Sequence, residues 1–466
     1  FPVACCYLVT RGLAADTADC AIINHGSSLS PLSLYPMLST LSTMFANTTG
    51  HAASSEFSPK LSDSKIRLPE DLSTVTTLTR EQLADKIKGL IFGAAIGDGL
   101  GLATEFMSKK QAFRHYGTGP IKFGNGEGVE FFKDSHRSRW QDSDFTDDTD
   151  QQLLILSSLL SHGGELDHRD FALRLKRWTQ QGNLDIDKPP YGIGFTVGSV
   201  LNHPSYEKEP HKAAWDVWCA NDCNLAANGA VMRTAILGVP KFWDEEAVVQ
   251  NAIDAGAVTH ADPRCLVSCV IVCVLVSRML RGAIPTTDDS SIITDPSPTQ
   301  SFSPVSPLTA DALGSDPSLT ALVRSIVATY APLLSKPLPY RKRHNPTVPI
   351  PSFPSSTLEE YCFPSNLAAL KLEESNSIGY TYKCLGSAVY LFTRQFPEDV
   401  DGRREAFRTV MTELTLEAGD ADTNAAVAGA LLGARLGLEG LPREWVEGLR
   451  HREYIEGLVD GLIGML

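Results

Sequence analysis

Carboxylates dominate the chemistry open to this chain. Asp142, Asp144, Asp147, Asp148 and Asp150 crowd the stretch around Phe145-Thr-Asp-Asp-Thr-Asp150, between Trp140 and the apolar run Leu153 to Leu160. A single aspartate there reads as a helix cap, because the free N–H groups and the helix dipole favour a negative charge. A crowd of them repels itself, which raises their pKa values or splays them apart unless a cation sits among them. Hard oxygen ligands grouped on a rigid helix start are what Mg²⁺, Mn²⁺ or Ca²⁺ require. A second acidic group is then expected, and Gly419-Asp-Ala-Asp-Thr423 supplies it at the start of a run of small residues. Thr146, Asp147 and Asp148 with Asp420, Asp422 and Thr423 offer carboxylates and hydroxyls enough for two hard ions, since one Mg²⁺ takes only one or two protein carboxylates and keeps its waters. Paired ions hold two substrate oxygens and acidify a bound water. Hydrolysis is the natural chemistry.

Helices must carry these groups. Order is expected to start at Thr79-Arg-Glu-Gln82, a capping box leading into Leu83, Ile87, Leu90 and Ile91 at helical spacing. In that helix Gly89, Gly93, Gly97 and Gly101 recur every fourth residue, each at a cost of about 1 kcal/mol relative to Ala. Close approach of another helix would offset the cost, and Gly429 and Gly433 downstream of Asp422 mark the expected partner. Asp98 rides the glycine helix and Glu105 follows just past it. Further helices are expected after Asp150 up to Gly163-Gly164, from about 170 to 180, after the turn Pro189 to Thr196, and over about 378–392 and 403–417. Asn228-Gly229 is a turn opening a helix, a place that holds anions well. Thr259-His260 precedes a helix striped by Cys265, Cys269 and Cys273; a lone histidine there is more often a cap than a ligand. No alternating strand series appears, so the class is all-α.

The bulk numbers narrow the partners. A net charge of -14 over 466 residues argues against a nucleic-acid groove or an anionic membrane surface. Ten cysteines without zinc-type spacing read as reduced core thiols of a cytoplasmic protein, with a nuclear or mitochondrial setting as the alternative. The apolar run Leu266 to Leu280 carries Ser268, Ser277 and Arg278 and falls short of the roughly twenty residues a span needs, so it reads as a core helix. Residues 1–78 are expected to form a low-complexity, disordered tail; Val3 to Val9 lacks the basic flank of a signal peptide. Residues 284–356, dense in Pro, Ser and Thr, read as an insertion with one short candidate helix, Ser318 to Leu334, interrupting a domain over 79–466. That domain is expected to be a monomer.

Six stretches, in order, carry a family resemblance: Gly-Leu-Ile-Phe-Gly-Ala-Ala-Ile-Gly-Asp-Gly-Leu-Gly-Leu-Ala-Thr-Glu-Phe (89–106), Phe-Thr-Asp-Asp-Thr (145–149), Asn-Gly-Ala-Val-Met-Arg (228–233), Thr-His (259–260), Gly-Tyr (379–380) and Gly-Asp-Ala-Asp-Thr-Asn (419–424). Together they resemble the ADP-ribosylglycohydrolases, the group of dinitrogenase-reductase-activating glycohydrolases and ADP-ribosyl-arginine and ADP-ribosyl-serine hydrolases. The resemblance covers about 83–284 and 357–466. It implies a compact orthogonal all-α fold and a binuclear Mg²⁺ centre, which Mn²⁺ also suits, held by Thr146, Asp147, Asp148, Asp420, Asp422 and Thr423. It further implies hydrolysis of the N- or O-glycosidic bond of ADP-ribose conjugates, protein-linked or small, by a water that both metals activate. Glu105 matches the family's glutamate near the metals and would assist proton transfer or gate the substrate, acting with Asp147 and Asp148. Asn228, Gly229, Ala230 and Met232 would lie along the ribose and diphosphate, with His260 and Tyr380 completing the substrate site. The implied partners are an ADP-ribose-containing substrate and an ADP-ribosylated protein, with neither nucleic acid nor membrane. One departure concerns specificity: Leu225-Ala226-Ala227 stands where relatives place glycine, serine and polar residues. Two other readings remain open, a hydrolase of a different ribosyl substrate and a non-catalytic member resembling a lens crystallin, since fold does not certify activity.

Overall fold

The computed structural model describes residues 68–69, 71–282, 309–335 and 351–466. The expected tail before residue 68 and most of the expected insertion (283–308 and 336–350) lie outside the described residues. Among the described residues the chain forms α-helices, short 3₁₀ turns and loops, with pairing of β type confined to isolated bridges, so the all-α expectation holds.

The glycine helix is the axis of the fold. Arg80–Gly101 starts at the expected capping box, with Gln82 N donating to Thr79 Oγ1 at 3.2 Å and Thr79 N to Gln82 Oε1 at 2.9 Å. Its glycines meet the Ala421–Leu436 helix in antiparallel register: Gly89 faces Gly433, Gly93 faces Gly429, Gly97 faces Ala425, and Gly101 faces Ala421. At each of these glycines an added Cβ would press into a backbone carbonyl oxygen of the partner helix. Antiparallel pairing has one further consequence. The end of the first helix lies beside the start of the second, and the chain just past it bonds across, Phe106 N to Gly419 O at 2.6 Å and Gly419 N to Met107 O at 3.1 Å. Glu105 is thereby set next to Asp420 and Asp422.

This packing has a quantitative test. Gly93→Val should lower the free energy of unfolding in urea by about 3 kcal/mol or more, since backbone cannot move aside as a flexible side chain would. Gly457 in the Arg452–Ile463 helix, where a Cβ meets nothing within 4 Å, serves as the control, and Gly457→Ala should stabilise by about 1 kcal/mol. Equal effects at the two positions would contradict the close approach.

Around this pair lie the Asp147–Ser161, Pro263–Leu280, Thr381–Phe392 and Val400–Leu416 helices. Pro263–Leu280 is longer than its apolar run: Asp262 caps it, and it is long and apolar enough by composition to cross a membrane. Every residue in it except Arg264 and Arg278 is buried against other helices, as a core helix requires. The seven described cysteines, its three among them, are free thiols. The candidate helix after residue 317 forms as Pro317–Tyr330, continued by a 3₁₀ turn over Ala331–Leu334. Its apolar stripe of Leu319, Leu322, Val323, Ile326 and Val327 joins the main hydrophobic core.

Candidate active site

The two acidic stretches meet at the ends of two buried helices. Thr146 Oγ1 lies 3.2 Å from Asp148 Oδ2 and 3.3 Å from Asp422 Oδ2, and Thr423 Oγ1 lies 3.1 Å from Asp148 Oδ1. Carboxylate oxygens of Asp98, Asp148 and Asp422 fall within 4.8 Å of one another, and so do those of Glu105, Asp420 and Asp422. Asp422 belongs to both groups.

Asp147 belongs to neither. Its Oδ2 accepts from Gln151 Nε2 at 2.7 Å, and its Oδ1 faces Gly192, which has φ +96° and where any side chain would run into the carboxylate. Asp98 works from behind the cluster. Its carboxylate accepts from Thr146 N at 2.8 Å, Thr149 N at 2.9 Å and Thr149 Oγ1 at 2.6 Å, so it holds the start of the Asp147–Ser161 helix in place. Burial and the neighbouring carboxylates push Asp147, Asp148 and Asp422 well above the usual carboxylate range. Burial raises Asp420 to about 6, against the opposing pull of its bond from Asn228.

Two buried cations at the back of the cluster are engaged elsewhere. Lys188 Nζ binds Asp150 Oδ2 at 2.6 Å and sits 4.3 Å from the centre of the Phe145 ring. Arg233 Nη1 donates to Gln151 Oε1 at 2.5 Å. Asp422 Oδ1 is buried with no hydrogen-bond partner among the described residues. An orphaned carboxylate oxygen among mutually repelling carboxylates and hydroxyls, with only hard oxygen donors, fits a divalent cation.

Lys188 ties the chain just before the Gly192 turn to Asp150. Replacing it by Met leaves the Asp150 carboxylate buried without its partner, which should cost about 3–5 kcal/mol by urea unfolding at pH 7. Adding Asp150→Leu to that variant should recover most of the loss. A single variant as stable as the wild type would show the ion pair to be dispensable.

The remaining candidates divide by where their side chains go. Glu105 lies against the acidic groups, and its Oε2 is 2.6 Å from His136 Nε2. The segment bearing His136 is tied down by buried Arg137, which donates to Ala103 O at 2.8 Å and to Glu105 O. Asn228 Nδ2 donates to Asp420 Oδ2 at 2.7 Å. Gly229 lies against the His260 ring, which is buried and pushed down to about 3 by burial and by Arg233. Ala230 and Met232 point into the hydrophobic core. The Tyr380 ring packs at 5.4 Å from Tyr361 and 5.2 Å from Tyr382, while the backbone on either side of it pairs with the Asn228 loop. There Asn228 N donates to Gly379 O and Thr381 N to Ala226 O, each at 3.0 Å. Those bonds employ backbone alone, which small residues such as Ala226 and Ala227 permit.

Gln151, Lys188, Arg233, His136 and Gly192 carry no assigned role in the sequence, and Asp98 only a position on the glycine helix. The signals the sequence offers for them are that Arg233 ends the Asn-Gly-Ala-Val-Met-Arg motif and Lys188 precedes Pro189-Pro190.

A family model described as ADP-ribosylglycohydrolase matches residues 79–466. The chain is similar to the ADP-ribosylarginine hydrolase Tri1 of Pseudomonas putida (strain GB-1), 22% identical over 393 residues that cover 84% of this chain and 81% of that protein. It is also similar to the ADP-ribosylarginine hydrolase Tri1 of Serratia proteamaculans (strain 568), 24% identical over 401 residues, 85% of this chain and 84% of that protein. A solved structure described as an ADP-ribosylglycohydrolase-related protein complex has the same fold, with a TM-score of 0.51 and 23% identity over 83% of this chain and 99% of that one.

Proposed function

Since the chain belongs to the ADP-ribosylglycohydrolase family and is by that membership a hydrolase of glycosidic bonds, we propose that it releases ADP-ribose from the arginine side chains of proteins. The observation that carries this reading is the convergence of Asp148 with Asp422 and Thr423 from distant parts of the chain into one buried, cation-deficient cluster. Thr146, Asp147, Asp148, Asp420, Asp422 and Thr423 would hold two Mg²⁺ ions, or Mn²⁺ in their place, and the sharing of Asp422 between two oxygen groups favours a pair over one ion. Such ions supply positive charge toward ribose hydroxyls and lower the pKa of a bound water.

The protein's own part follows from the site. Asn228, held by Asp420, and the Gly379 backbone form one wall for the ribose. Glu105 faces the same space from the other side and exchanges a proton with the reacting groups, His136 orienting its carboxyl. Cleavage of a glycosidic bond builds positive charge on the sugar ring, which the crowded carboxylates stabilise. Asp147 would be held in a fixed orientation by Gln151 and Gly192.

The test is release of free ADP-ribose from arginine-linked and serine-linked conjugates with Mg²⁺ and with chelator. Mg²⁺-dependent release from the arginine conjugate is expected. Release from the serine conjugate alone would overturn the linkage, and no release from either would favour a non-catalytic or differently specific member.

A further inference from the structure

A buried polar chain runs away from Asp147 and ends at the substrate loop. Gln151 Nε2 donates to Asp147 Oδ2 at 2.7 Å; Arg233 Nη1 donates to Gln151 Oε1 at 2.5 Å and its Nη2 to Thr259 Oγ1 at 2.6 Å. Thr259 Oγ1 lies 2.8 Å from His260 Nδ1. Arg233 is fully buried, with its guanidinium 5.2 Å from the centre of the Phe171 ring.

Donor counting along this chain has one economical solution. A guanidinium carries donors only, so Thr259 must present it a lone pair. The hydroxyl's single proton then has one partner within reach, His260 Nδ1. In that arrangement His260 is neutral with its proton on Nε2, and the polar groups left over are that Nε2–H and the Arg233 Nε–H, which is unpartnered in either tautomer. The other tautomer would strand two groups, the Thr259 proton and a bare Nε2 acceptor, and buried unpaired groups cost about 1–3 kcal/mol each. Neutrality is supported independently, since burial first and Arg233 second push the imidazole down to about 3. Nε2 is buried without a partner and lies against Gly229, in the loop that Asn228 anchors to Asp420.

We propose that Arg233 is a positioning residue for both halves of the site: through Gln151 it orients Asp147, and through Thr259 it fixes His260 as the Nε2–H tautomer, aiming that donor at the Gly229 side of the loop that binds ADP-ribose. The ligand half of this inference rests on the function proposed above; the tautomer half does not. His260 acts here as an oriented donor, and its proton is not transferred.

Nitrogen-15 NMR of the histidine imidazoles in the metal-free protein reads the tautomer directly. His260 in the wild type should show a protonated Nε2 and an unprotonated Nδ1. Arg233→Met should shift it toward a tautomer mixture. Because an Arg233 variant risks misfolding, Thr259 provides the second pair: Thr259→Val should lose the fixed tautomer, and Thr259→Ser, which keeps the hydroxyl, should restore it. Titration calorimetry with ADP-ribose should show affinity about tenfold weaker for Thr259→Val and restored for Thr259→Ser, as expected for one hydrogen bond. A wild-type His260 protonated on Nδ1, or a tautomer indifferent to Thr259→Val, overturns the inference. So does a tautomer that responds while ADP-ribose affinity does not. If no form of the protein binds ADP-ribose while the tautomer behaves as stated, the proposed function fails and the assignment of Arg233 to His260 stands.

Discussion

Asp422→Asn is expected to cut ADP-ribose release at least about a thousandfold, equivalent to about 4 kcal/mol of transition-state stabilisation, while the protein stays folded. Asp422 is the residue through which the two oxygen groups are joined, and its Oδ1 has no partner to hold it otherwise. The substitution keeps the shape and removes one negative charge from a cluster in which burial and Glu105, Asp148 and Asp420 all disfavour the ionised form. Stability in chelator should therefore rise as activity disappears, the opposition of sign expected where function is maintained at the expense of stability. Activity assays and urea unfolding on one preparation test both halves. A variant that keeps more than a tenth of wild-type activity would remove Asp422 from the chemistry.

Metal removal should both abolish turnover and reverse the usual dependence of stability on pH. The Asp420 carboxyl is raised from 3.8 to about 6 in the folded protein. Between those values the native state binds a proton that the unfolded chain has released. Stability then falls as pH increases, being fully present below the unfolded value and lost as pH passes about 6. For Asp420 alone the loss amounts to roughly 3 kcal/mol by pH 7.5. Asp147, Asp148 and Asp422 are displaced upward more strongly and extend the window to higher pH. In EDTA the protein should thus be more stable at pH 5 than at pH 7.5, by urea unfolding. Mg²⁺ at a hundredfold excess over its dissociation constant should return about 2.7 kcal/mol at pH 7.5. Apo stability that increases across this range would show that the carboxylates are not held in mutual repulsion.

Much of the frame could be read from the residues because it is costly. Glycines every fourth residue from Gly89 to Gly101 demand a close partner, and Gly429 and Gly433 are distinctive enough to name it. The continuation of that contact at Ala421 and Ala425 was illegible, since alanine is as ordinary in an open helix as in a tight one. The acidic site was legible for the same reason, through crowding that needs a cation. The direction of each carboxylate was not. Whether Asp147 joins its neighbours or turns to Gln151 depends on helix phase and on Gly192, which only the folded chain brings opposite. Buried cations were missed because their partners are remote in sequence: Asp150 lies 38 residues from Lys188, and Gln151 lies 82 from Arg233. The motif marks Tyr380 as a ligand contact; its packing against Tyr361 and Tyr382, and the bonds of its neighbours Gly379 and Thr381 to Asn228 and Ala226, have no signal in the sequence.

The convergence of the two acidic stretches on shared ions is open to one direct measurement, titration of Mn²⁺ into the metal-free protein followed by electron paramagnetic resonance. Two ions per chain with the spectrum of a coupled pair are expected for the wild type, and Asp148→Asn and Asp422→Asn, drawn from opposite stretches, should each abolish the coupling. Absence of bound Mn²⁺, or a bound ion indifferent to both substitutions, would contradict a centre shared between them.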